Sequence, residues 1–333
     1  MNSDAFILVL AYPDTVVRVA DEWYSQLLKY VGVGSKGYVR AGHSALVLIR
    51  KQTGVIEYFD FGRYITPAPM GRVRCGYTDF EIKFPFKALV ENDHILNVNE
   101  ILSFLANSPR ITHGQGKLYA SVSSNVNYKK AVQFIRKTQK TGLIRYGAFI
   151  KNASNCSRFV ADVLGVAVTD SILKRKLKLS NRFTPSPIGN VIRVSNNSEV
   201  YCVADSGEIE LKKVSMFQIN KAGFLDRLPK YTSTELGSLL PIQVDNLGQY
   251  AKWVPGIGAG AWFDLYEQSK SGNLLFKRVN PYGTVDVHGV YESPKKGFSL
   301  NRDFKYEGYA DCRRFSIRQH NQLYHFKLVE RIN

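Results

Sequence analysis

Asn152-Ala153-Ser154-Asn155-Cys156-Ser157-Arg158-Phe159-Val160-Ala161-Asp162-Val163-Leu164 sets a cysteine where a short polar segment gives way to an amphipathic helix. Phe159, Val160, Val163 and Leu164 recur at helical spacing, and Ser154 or Asn155 supplies the N-cap. Cys156 then falls in the first turn, where unpaired backbone N–H groups and the positive end of the helix dipole favour a thiolate. An isolated thiol titrates at about 8.5, and such a position draws it toward neutrality. The plainer reading is a small buried side chain that helps one helix pack, since free cysteine is among the most buried residue types. A histidine far upstream shifts the balance.

A cysteine nucleophile needs a base within hydrogen-bond reach, and the base needs an acceptor that orients it. Gly42-His43 opens the apolar run Ser44-Ala45-Leu46-Val47-Leu48-Ile49. The Lys51-Gln52-Thr53-Gly54 turn leads from it into Val55-Ile56-Glu57-Tyr58-Phe59-Asp60-Phe61, so the two runs read as a hairpin. Centring the turn near Thr53 brings His43 opposite the segment just beyond Asp60. Asp60 and Glu57 face opposite sides of their strand, so only one can serve. Asp60 is the nearer and is the expected third residue, with Glu57 as the substitute. The backbone N–H of Cys156 is a candidate oxyanion donor. Tyr12 or Tyr146 is the candidate for a second, and Asn155 and His113 are further candidates for the cleft.

At this point a resemblance emerges. Gly42-His43 with its strand, followed by Asn155-Cys156-Ser157-Arg158-Phe159-Val160 about a hundred residues later, resembles the circularly permuted papain-like group. That group includes lecithin–retinol acyltransferase and the permuted NlpC-type hydrolases. The resemblance spans Ala5 to Ser180 and has the His strand before the Cys helix, the reverse of the papain order. It implies Cys156 as nucleophile, His43 as base and a polar third residue on the next strand. The chain is also similar to a bacterial family carrying Tyr-Phe-Asp-Phe-Gly-Arg-Tyr and Asn-Cys-Ser-Arg-Phe-Val segments. The expected activity is a cysteine hydrolase, either amidase, peptidase or ester or thioester hydrolase, or an acyltransferase. Its partner would be a small-molecule, peptide or lipid acyl substrate.

Composition sets the frame for this reading. The chain has 333 residues, 44% of them apolar, enough for a sizeable core and for two domains. No apolar run is long enough to cross a membrane as a helix. The start, Met1-Asn2-Ser3-Asp4-Ala5, lacks the basic and small-residue features of a signal peptide. Cys75, Cys156, Cys202 and Cys312 lie far apart without a CxxC pair, which argues against a zinc site or a disulfide framework. The histidines show no metal-ligand spacing, so neither metal nor cofactor is expected, and the cytoplasm is the expected compartment. Gly256-Ile257-Gly258-Ala259-Gly260 is followed by a strand-like run instead of a phosphate-facing helix, which excludes a nucleotide loop.

The net charge of +17 favours an anionic partner. It supports the alternative of a non-catalytic binding module for nucleic acid or a lipid surface. The densest basic cluster, Lys174-Arg175-Lys176-Leu177-Lys178, reads as the solvated side of a helix.

The fold expected is α+β. A permuted papain-like domain, an antiparallel sheet with helices, occupies residues 1–190. A mostly β domain occupies residues 191–333, with Thr184–Asn190 as the linker. Val16, Val19, Trp23, Leu27 and Leu28 are expected to line an early helix.

Overall fold

The computed structural model describes residues 3–19, 22, 34–35, 37–182, 184–195, 197–228, 241, 243–267 and 273–332. The fold is α+β, with antiparallel sheets and seven helices among the described residues. The chain divides into two compact units, Met1–Gly62 with Ile82–Tyr231, and Arg63–Glu81 with Thr232–Asn333.

The first unit is built on the strand Ala5–Tyr12, every residue of which is buried. It pairs antiparallel with His43–Arg50 on one side and Leu118–Val126 on the other. Ile56–Gly62 continues the sheet beyond His43–Arg50, while Glu199–Val203 and Ile209–Lys213 continue it beyond Leu118–Val126. A strand that is apolar at every position needs cover on both faces. Phe6, Leu8, Leu10 and Tyr12 join a core with Ile101, Leu102 and Leu105 of the helix Val98–Ala106. The helix Pro187–Val194 packs on the same strand, and the helix Cys156–Ala167 packs on His43–Arg50.

Two local expectations need correction. Val16–Arg18 is a strand paired with Tyr38–Arg40, not the start of a helix. Adjacent β-branched valines favour an extended backbone when a partner strand is in reach. Trp23, Leu27 and Leu28 lie outside the described residues. The Thr184–Asn190 stretch is also no linker. Ser186 caps the Pro187–Val194 helix by accepting from the Gly189 N–H, and Pro187 takes the first helical position, where no N–H is required. The expected division at residue 190 therefore runs through this helix, and the first unit extends on through the strands of 199–213.

The second unit is mostly β. Its antiparallel strands run in the order Lys252–Val254, Ala261–Glu267, Leu274–Val279, Val285–Glu292, Gln322–Arg331, Arg314–Gln319, Lys305–Tyr306. Phe263, Phe276, Tyr291 and Phe315 form its aromatic centre, with ring centroids 4.7–6.1 Å apart along the contacts among them.

Candidate active site

The helix Cys156–Ala167 starts at the cysteine. Asn155 is its N-cap, in an extended conformation, and its side chain accepts from the Arg158 N–H at 2.9 Å. The preceding loop is held from several directions. Glu22 accepts from the N–H groups of Ala148 and Phe149, and the Arg158 guanidinium donates to the carbonyls of Ala148 and Ala153. Asn190, fully buried, donates to the Ser157 carbonyl at 2.8 Å and ties the first turn to the neighbouring helix. The sulfur is thereby fixed at the positive end of a helix whose first amides have no intrahelical acceptor.

His43 opens its strand directly after Gly42. The glycine has φ +75°, and a Cβ there would lie 3.1 Å from the Tyr12 carbonyl oxygen and from Pro13 Cα. A side chain at 42 would meet backbone in a conformation L-residues resist. The hairpin register pairs Ala45 with Asp60. His43 and Asp60 thus sit diagonally on one face, two residues out of register. His43 Nε2 lies 3.2 Å from Asp60 Oδ2, and both side chains are buried. The His43 ring also makes a hydrogen bond with Cys156.

The electrostatics follow from these contacts. Burial alone would depress the imidazole, but the hydrogen bonds to Asp60 and Cys156 outweigh it and raise His43 to about 9. Burial would likewise raise the Cys156 thiol. The His43 hydrogen bond and charge, the Ser44 backbone N–H and the Ser157 hydroxyl bring it below its ordinary value instead.

The other sequence candidates take different places. Tyr12 pairs with His43 across the strands and stacks on its ring at 6.5 Å, but its hydroxyl donates to the Leu105 carbonyl. It supports the imidazole from behind. Gly114 makes that packing possible, since a Cβ there would lie 2.3 Å from the Tyr12 ring. Tyr146 stacks on Phe61 at 6.0 Å and lines a cavity with Asn155, Cys156 and Ser157. His113 ends the short helix Pro109–Thr112 in the left-handed region and does not line that cavity. Glu57 is bound by the Tyr128 hydroxyl at 2.5 Å, on the strand face opposite Asp60. All four cysteines are free and buried. Arg175, Lys176 and Lys178 form an exposed face of the helix Ser171–Asn181.

Residues 7–172 match a family model described as type VI secretion system effector TseH-like. That span is similar to TseH-like effectors. It contains His43, Asp60 and Cys156. Residues 251–329 match a second model, described as DUF6695 C-terminal domain. Among solved structures, the crystal structure of the type VI secretion system effector TseH aligns at 16% identity with a TM-score of 0.38. The alignment covers 64% of this chain and 100% of that one. No curated protein matches. No helix among the described residues is long and apolar enough to cross a membrane.

One residue of the network gave no signal in the sequence. The Tyr58 hydroxyl lies 3.1 Å from Asp60 Oδ2 and 3.3 Å from the Thr112 carbonyl. Held between them, it fixes the carboxylate that faces His43. A Tyr58→Phe variant removes one hydrogen bond worth about 0.5–1.5 kcal/mol, so turnover should fall about 3- to 10-fold with the fold retained. As a positioning residue, Tyr58 should also move the alkaline limb of the pH–rate profile. An unchanged limb would reduce it to a packing residue.

Proposed function

We propose that this protein is a cysteine hydrolase of acyl bonds, papain-like in arrangement with the His strand ahead of the Cys helix. Cys156 is the nucleophile, His43 the base and acid, and Asp60 the residue that orients His43. The observation that carries this reading is the buried relay from Asp60 through His43 to a sulfur at a helix N-terminus, with the sulfur opening on a cavity. The similarity of residues 7–172 to TseH-like effectors supports a hydrolase-type effector. In that case the cytoplasm is where it is made, and its target is met after secretion.

The chemistry follows from the geometry. The Cys156 thiolate attacks the carbonyl carbon, and the charge that develops on oxygen meets the Cys156 N–H at the helix start. The tetrahedral adduct collapses to a thioester as His43 gives its proton to the departing amine or alcohol. Water then attacks the thioester, its proton passes to His43, and a carboxylic acid leaves the regenerated sulfur. Asp60 holds the imidazole in the orientation that both transfers need.

Iodoacetamide tests the ion pair directly. Cys156 should be carbamidomethylated stoichiometrically at pH 7, ahead of the other three thiols, as read by peptide mass spectrometry. In His43→Ala, labelling should shift up to the ordinary thiol range or above it, because burial then acts without compensation. Hydrolysis should show a bell-shaped profile, rising as the thiol ionises and falling near pH 9 as His43 loses the proton it must donate. A Cys156 that stays unlabelled at neutral pH while Cys75, Cys202 or Cys312 reacts would remove the nucleophile from the proposal.

A further inference from the structure

The cavity at Cys156 has a volume of about 560 Å³, within the range of small-ligand sites. Val17, Val19, Val39, Phe149, Ile188 and Ile219 give it a mainly apolar wall. Among its described lining residues there is no carboxylate. Its two cationic members are Arg18 and Arg40, and Arg40 is already paired with Asp14 and Asp226. Its described lining offers a positively charged group no anionic partner, and burying one there unpaired is costly.

The cavity opens at the start of the Cys156 helix. Asn155, Cys156 and Ser157 line it, and His43 is not among the described lining residues. The leaving group must depart beside His43, from which it takes its proton. The acyl part stays bonded to sulfur, at the helix start, where the cavity opens.

We infer that the group on the acyl side of the scissile bond is bulky and apolar and carries no positive charge. This inference rests on the cysteine-hydrolase reading and adds the substrate class to it. A hydrocarbon chain and a large apolar amino-acid residue share the required chemistry. Each methylene buried in the cavity favours binding about fourfold, so even a few separate an apolar acyl group from an acetyl group clearly.

The experiment compares p-nitrophenyl acetate with p-nitrophenyl octanoate, and the p-nitrophenyl esters of N-acetylated glycine, phenylalanine and lysine with one another. We expect kcat/KM for octanoate or for the phenylalanine ester to exceed its small counterpart by about tenfold or more, with the lysine ester no better than glycine. Whichever of the two apolar arms shows the larger gain identifies the source. In Ile219→Trp, which fills the cavity from the helix Met216–Phe224, the octanoate-to-acetate ratio should fall toward one. Equal rates for large and small acyl groups, or a preference for lysine, would overturn the inference while neutral-pH labelling of Cys156 left the hydrolase reading standing. Loss of that labelling together with all turnover would overturn both.

Discussion

A Cys156→Ala variant is expected to lose at least about 10⁴-fold in kcat on any ester the wild type hydrolyses, with its circular dichroism spectrum unchanged. The size of the effect follows from the step removed. Without sulfur there is no thioester, and His43 and the helix-start N–H can only assist direct attack by water. The side chain is small and sits at the helix terminus, so its truncation leaves the Asn155 cap and the apolar face of the helix in place. Cys156→Ser sharpens the test. Serine keeps the shape, but its hydroxyl does not ionise at neutral pH, so it should recover only a small fraction of the lost rate. An alanine variant within tenfold of wild type would assign the activity to some other group.

The parts of this arrangement differ in how far they could be read from the chain. The place of Cys156 was legible because two local signals coincide there, a capping asparagine and apolar residues at helical spacing. The nearness of His43 and Asp60 was legible because a hairpin register can be counted from its turn, and Ala45 pairs with Asp60. Tyr58 was hidden for the opposite reason. In Glu57-Tyr58-Phe59-Asp60 it reads as an ordinary strand aromatic, and one of its partners is the carbonyl of Thr112, 54 residues away. Val16-Val17 fits a helix or a strand until the partner Tyr38–Arg40 is known. The membership of Arg63–Glu81 in the second unit was equally hidden. Arg72, Asp79 and Glu81 look like surface charges, and nothing periodic marks a buried ion pair.

Those charges support the second large expectation, a loss of about 3–5 kcal/mol of stability in Asp79→Ala. Arg72 grips Asp79 through two bonds of 2.7 Å, with both side chains about 1% exposed. Arg278 donates to the same carboxylate at 3.2 Å, and it also reaches Glu81 and Asp286. Burial would raise the Asp79 carboxyl, but the two guanidinium groups hold it far below the usual carboxylate range. Removing it leaves Arg72 buried without its bidentate partner and strips Arg278 of one of its anions. Two of the three tryptophans, Trp253 and Trp262, lie in this unit, so urea unfolding followed by tryptophan fluorescence reads the change. The pH dependence has a definite sign. A carboxyl depressed by folding stabilises above its unfolded value and loses that contribution as pH falls through the folded one. Wild type should therefore weaken in acid more steeply than Asp79→Asn, which carries no proton-linked charge at this position. Equal midpoints in urea for wild type and Asp79→Ala would show that the arginines find other partners at no cost.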